Sequence, residues 1–118
     1  MHWTQQEAID LCRKIEAICP KYGCHVALTG GLLYKDGSRK DCDLLFYRIR
    51  QVERIDKDGL FAELDEKCDI IQESGFGWCH KALYSRGSDT DQNRWGKMDL
   101  FFPEEIGGGY QNQTIIKL

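Results

Sequence analysis

Several things are missing from this chain, and each absence narrows what it can be. No run of about 18 apolar residues occurs, so no segment is expected to cross a bilayer as a helix. The opening MHWTQQEAIDLC is polar and acidic-tinged, lacking the basic start and apolar core of a secretory or organellar signal, which points to the cytoplasm. Excess positive charge is absent too: the net charge is −3, so no global basic field advertises nucleic acid as a partner. There is no Cys-x-x-Cys pair among the six cysteines, whereas zinc knuckles normally show paired short spacings. A zinc set drawn from Cys19, Cys24, His25, Cys79 and His80 is therefore the lesser reading. Reduced thiols at core-like positions, behaving as small hydrophobes, are the expected state.

What is present suits one globular domain. The chain has 118 residues, 42% of them apolar and 30% charged, enough for a single core. We expect that domain over residues 1–106, followed by a Gly-rich tail over 107–118. No internal repeat or low-complexity tract interrupts it.

Residues Thr4 to Cys19 carry an amphipathic helix pattern, with Ala8, Leu11, Cys12, Ile15, Ile18 and Cys19 on one stripe. Thr4 and Glu7 have capping-box spacing, Trp3 and Ala8 can form the hydrophobic staple, and Pro20 with Gly23 should stop the helix. Cys24 to Thr29 reads as a strand, Leu32 to Tyr34 as a helical turn and Lys35 to Lys40 as a loop. Asp41 to Arg48 reads as a strand whose period of two puts Asp41, Asp43, Leu45 and Tyr47 on one face. A second helix is expected over Asp58 to Cys68, capped by Asp56 or Asp58. Strands follow at Asp69 to Glu73 and Trp78 to Ser85 around an SGFG turn, then a polar loop from Arg86 to Gly96. The last strand, Lys97 to Phe102, ends at Pro103. This order implies an α+β fold, a mixed β-sheet with helices packed on one face.

The chemistry concentrates in LTGGLLYKDGSRKDCDLLF, Leu28 to Phe46, together with KMDLFF around Asp99. Asp41, Asp43 and Asp99 sit in strand-like sequence, where carboxylates are costly to bury unless something cationic lies between them. Asp41 and Asp43 share a strand face, and a neighbouring strand could bring Asp99 to them. Oxygen ligands of this kind suit Mg²⁺, which is usually held by a few carboxylates plus substrate phosphates. Gly30 and Gly31 would let backbone N–H groups approach a phosphate closely.

Gly-Gly after a strand, Asp-x-Asp on the next strand and a third acidic residue on a later one resemble the signature of the nucleotidyltransferase superfamily with the DNA polymerase β-like fold. TGGLLYKDGSRKDCDLLF is similar to the catalytic heads of CCA-adding enzymes and small antibiotic nucleotidyltransferases. The resemblance runs from about Cys24 to Phe102 and rests on Gly30, Gly31, Asp41, Asp43 and Asp99. It implies transfer of a nucleoside monophosphate from ATP or another NTP to a hydroxyl of RNA, protein or a small molecule, with Mg²⁺ or Mn²⁺ as cofactor. It further implies that Asp41 and Asp43 bind both metals, that Asp99 binds the catalytic one and helps deprotonate the acceptor, and that Gly30 and Gly31 hold the triphosphate. Lys40 stands before Asp41, where Ser is commoner in the family. The helical domain that many members carry after this head has no counterpart here, so the chain resembles a minimal catalytic head whose acceptor-binding half is either missing or supplied by a protein partner. The alternative expectation is a catalytically degenerate module of the same fold, of phage or toxin–antitoxin type, acting through such a partner.

Lys35, Arg39 and Lys40 are either charge-assisted phosphate donors or a solvated charged loop. Arg86, Arg94 and Lys97 could reach a nucleotide or acceptor, although surface roles are favoured for Arg86 and Arg94. His25 and His80 are expected to be structural rather than catalytic bases. Trp78, Tyr84 and Trp95 could stack on a base, although packing is the commoner fate of such rings.

Overall fold

The computed structural model describes residues 3–34, 39–87 and 94–105. Helix α1 spans Gln5–Ile18, and the Thr4 hydroxyl caps it by accepting from the Glu7 N–H at 3.1 Å. Its stripe of Ala8, Leu11, Ile15 and Ile18 is buried, as the spacing predicts. Trp3 and Ala8 are both fully buried. The Glu7 carboxylate turns to Arg86, meeting Nε at 2.6 Å and Nη2 at 3.0 Å. Pro20 does not end the helical path at once. A 3-10 turn, Cys19–Tyr22, accommodates it in its first positions, and Gly23 then stops the chain at a φ of 88°.

Strand β1 follows at Cys24–Thr29, then the four-residue α2 at Gly31–Tyr34 and strand β2 at Asp41–Arg48. Helix α3, Lys57–Cys68, is capped by Asp56, the first of the two candidate caps. Strands β3 (Ile70–Phe76), β4 (Cys79–Ser85) and β5 (Trp95–Phe101) complete the sheet. Asp69 belongs to the end of α3 rather than to β3, adopting a φ of 58° that turns the chain into the strand. The β3–β4 turn falls at Gly77 and Trp78, later than the SGFG expectation, because β3 is lengthened through a register shift between Gln72 and Ser74. β5 begins at Trp95, so the expected loop is shorter than its composition suggests. The tail and most of that loop lie outside the described residues.

The sheet order is β1-β2-β5-β4-β3, with β2 and β5 parallel and the other pairs antiparallel. The fold is therefore α+β with a mixed sheet. Helix α1 packs on β1, α3 on β3, and the helices on each other, all on one side. Cys42, Leu44 and Phe46 of β2, Met98 and Leu100 of β5, and Phe102 just beyond point into this core. Phe46 and Phe102 stack with centroids 4.9 Å apart, and Phe61 of α3 meets Phe102 edge-on at 5.7 Å. Trp3 is fully buried, pairs with Arg39 in an isolated bridge and donates its indole N–H to Lys97 O at 2.9 Å. It packs over Gly96, where any Cβ would come within 2.6 Å of the indole.

Truncating Phe46, which is 0% exposed, removes the ring that joins β2 to the Phe102 cluster. Phe46→Ala should lower the unfolding free energy by about 3–5 kcal/mol, read from the midpoint of urea denaturation.

Candidate functional site

Because β2 and β5 bury alternate residues on the helix side, their remaining side chains stand on the opposite face, left uncovered by α1 and α3 among the described residues. The parallel register pairs Asp43 with Asp99 and Asp41 with Lys97. On the outer sides of this pair, Thr29 of β1 stands opposite Asp43, and Lys81 of β4 opposite Asp99. A row of Thr29, Asp43, Asp99 and Lys81 therefore crosses the sheet, with Asp41 and Lys97 one pleat away. Asp43 and Asp99, far apart in sequence, are thus direct neighbours in space.

Charge sets the character of this row. The Asp43 carboxyl is pushed above its ordinary range, first by burial, then by the negative charges of Asp99 and Asp41 and by a hydrogen bond shared with Asp99. Lys81 opposes that shift. Its ammonium lies 2.7 Å from Asp99 Oδ1, and its side chain is 59% exposed against 18% for Asp99. An ion pair with one end in water contributes about 0–1 kcal/mol, so the ammonium can leave at little cost.

Gly30 is shaped to this arrangement. It has a φ of 73°, and a Cβ there would stand 2.2 Å from Asp43 Oδ2. The turn after β1 thus passes directly over the carboxylate. Beside it, Gly31 leaves room for the Arg39 guanidinium, whose Cζ would be 3.1 Å from any added Cβ. Arg39 is held in place by its backbone bridge to Trp3. Lys40 is exposed next to Asp41. Lys35 lies outside the described residues. With only four residues, α2 has little dipole to offer, so the turn contributes backbone and Arg39 instead.

Among the described residues, no three His, Cys, Asp or Glu side chains are gathered into a ready-made metal cage. The donors do suit Mg²⁺, which needs hard oxygens from one or two carboxylates and takes the rest of its shell from water and phosphates. The elevated Asp43 carboxyl also marks a spot that a cation would relieve. The zinc alternative fares differently. Cys19, Cys24 and His25 lie at or beside the β1 edge, whereas Cys79 and His80 belong to β4, separated from β1 by β2 and β5.

No family model matches the sequence, and no curated protein is significantly similar to it.

The remaining named residues take structural places. His25 meets Glu16 at 2.6 Å, and the same carboxylate accepts the Val26 N–H at 3.0 Å, closing part of the β1 edge. His80 is buried between Phe61 and Phe102, with Lys57 and Gln72 at its ring nitrogens. Arg86 lies over Trp3 at 4.9 Å while bound to Glu7, and Arg94 lies over Trp95 at 5.0 Å. Sequence reasoning missed Lys81 altogether. Its signal was the one charged Lys in the strand CHKALYS, and only the register reveals its partner. A groove of about 340 Å³, lined by Asp41, Glu73, Ser74, Lys81, Lys97 and Asp99 among others, opens from this row towards β3.

Two outcomes follow for the site. Gly30→Ala forces a left-handed backbone on a residue with a Cβ and drives that carbon into Asp43. It should cost at least about 1–2 kcal/mol in thermal or urea unfolding. Asp43 has a folded-state pKa above its unfolded one, so its ionised form works against folding. That penalty is absent below the unfolded value and complete above the folded one. In metal-free buffer, Asp43→Asn should therefore be more stable than wild type at neutral pH, and its advantage should vanish as the pH falls below about 4.

Proposed function

We propose that this protein is a Mg²⁺-dependent nucleotidyltransferase, moving a nucleoside monophosphate from an NTP to a hydroxyl acceptor. The observation that carries this reading is the parallel register of Asp43 with Asp99 beneath the positive-φ turn at Gly30. The Gly-Gly and Asp-x-Asp resemblance supplies the chemistry expected there, and Mn²⁺ is an acceptable substitute for Mg²⁺.

In this reading Asp41 and Asp43 face the triphosphate, and the Gly30–Gly31 backbone and Arg39 take its oxygens. Lys40, exposed beside Asp41, adds positive charge, and Lys35 is a further candidate from the sequence for the same part. Asp99 faces the incoming hydroxyl and takes its proton as the acceptor oxygen bonds to the α-phosphorus. The bond from that phosphorus to the bridging oxygen breaks, and pyrophosphate leaves. Mg²⁺ bound at the carboxylates would neutralise phosphate charge and activate the attacking hydroxyl. Positioning and charge neutralisation account for most of the rate in such transfers. The acceptor, whether RNA, protein or small molecule, enters from the side of Asp99, and a protein partner can present it. Cytoplasmic NTP pools suit this activity. Among the described residues no helix is long and apolar enough to cross a membrane.

One observation favours a second reading. Lys81 holds Asp99 at 2.7 Å, as a permanent counter-ion would in a catalytically degenerate module that acts through a protein partner.

Labelled ATP, CTP, GTP and UTP, each with Mg²⁺ or Mn²⁺ and mixed acceptors, separate the two. The catalytic reading expects label to move with wild type and to fall to background with Asp43→Ala. Equal transfer by both, or none under any condition, sinks it. In the degenerate reading, calorimetry should show no Mg²⁺-dependent nucleotide binding that requires Asp41 and Asp43.

A further inference from the structure

The uncovered sheet face changes character one pleat beyond the carboxylates. Phe101 follows Asp99 by two residues, so their side chains leave the same face about 7 Å apart. Its strand neighbours at that level are Leu45 of β2 and Cys79 of β4. Trp78, from the β3–β4 turn, lies on Phe101 with centroids 5.8 Å apart and planes inclined by 20°. The turn is fastened to β5 by the Phe102 N–H, which donates to Trp78 O at 2.7 Å. Even so, Trp78 is 49% exposed.

The other candidate rings are differently placed. Tyr84 stacks on the buried Trp3 at 5.5 Å, and Trp95 is covered by Arg94. Tyr47 leans on His25 at 5.6 Å, and the exposed Ile71 lies on β3. The exposed apolar groups are thus spread over separate strands rather than joined into the broad patch that a protein interface needs. At Trp78 an exposed ring is backed by Phe101, whose strand carries Asp99 one pleat away.

We propose that Trp78 and Phe101 form a stacking ledge for the nucleobase of the substrate whose phosphates lie at Asp43 and Asp99. This rests on the nucleotidyltransferase reading and adds a base-binding subsite to it. A flat, apolar ring joined to an anionic chain matches a flat, apolar ledge joined to a row where phosphates and a cation are accommodated. Stacking of this kind tolerates any base, because every base has a π-face. The ledge therefore holds the nucleotide without reading its identity, and larger purine rings gain more contact than pyrimidines.

Intrinsic tryptophan fluorescence of the full chain tests this. Adenosine, ATP with Mg²⁺, and tripolyphosphate with Mg²⁺ are titrated separately, and binding is measured in parallel by calorimetry. Adenosine and ATP should quench emission and tripolyphosphate should not, with the quenched component missing from Trp78→Phe. Trp78→Ala should bind ATP about tenfold more weakly and tripolyphosphate as well as wild type, whereas Trp78→Phe keeps ATP affinity within about twofold. Adenosine quenching without tripolyphosphate binding would uphold the ledge and remove the phosphate-handling reading. The ledge is overturned if tripolyphosphate binds while adenosine leaves the emission unchanged, or if Trp78→Ala binds ATP like wild type. It is equally overturned if no ligand binds, or if emission responds only to protein concentration, marking Trp78 as a contact between copies.

Discussion

The parallel pairing of β2 with β5 is the constraint on which the rest depends. Two adjacent strands bury Cys42, Leu44, Phe46, Met98 and Leu100 against the helices, and Phe102 continues the same core just past β5. With a side-chain period of two, a slip by one residue would exchange the buried and uncovered sets. Core packing thus fixes register, and register sets Asp43 against Asp99. The carboxylates need no attraction of their own to meet. They are held together by hydrophobic contacts on the other side of the sheet, so the cost of burial and then of their mutual repulsion appears as a raised Asp43 pKa rather than as a disrupted strand.

That arrangement is a local conflict inside an otherwise consistent fold. Sequences tend to violate the rules of comfortable burial where a site requires it, with the surrounding structure absorbing the cost. Lys81 relieves part of the conflict from β4, and its exposed stem makes the relief reversible. The two readings of the chain differ on this one pair. A counter-ion that yields to a metal-bound phosphate keeps the site catalytic, whereas one that stays makes the same residues structural. The Gly30 turn weighs towards the first reading. A backbone that passes this close to a carboxylate leaves out a side chain just where a ligand would approach.

Most of the architecture was legible because periodicity is a direct imprint of burial. The α1 stripe, the β2 alternation and the one-sided layering of the helices all follow from where apolar residues recur. Boundaries were less legible where local chemistry had two solutions. Pro20 fits the start of a 3-10 turn as readily as it ends a helix, and Asp69 tolerates the left-handed conformation that closes α3. The Thr4 cap formed as its spacing suggested, while Glu7 found Arg86, a partner 79 residues away. Asp41, Asp43 and Gly30 could be picked out from local pattern alone. Lys81 could not, and among the three rings that could meet a base nothing local set Trp78 apart, since the pairing with Asp99 and the stacking on Phe101 are contacts that no local window contains.

The same register also accounts for the division of the uncovered face. Moving along β5 from Lys97 to Asp99 to Phe101 passes from charge to apolar ring within one strand. β2 makes the parallel change from Asp41 and Asp43 to Leu45, and β4 runs from Lys81 to Cys79 in the reverse chain direction. Three strands change character at the same level because the ladder aligns them. A sheet that only needed a solvated outer surface would have no reason to align its polar and apolar residues in this way. In the proposed reading the alignment gives a ligand two chemically distinct footholds at a fixed separation, with Asp43, Asp99 and Phe101 all carried on strands. Sites built on such elements hold their geometry more tightly than sites built on loops. A small chain that packs α1 and α3 on one side of its sheet thereby presents, among the described residues, a second face built from strands.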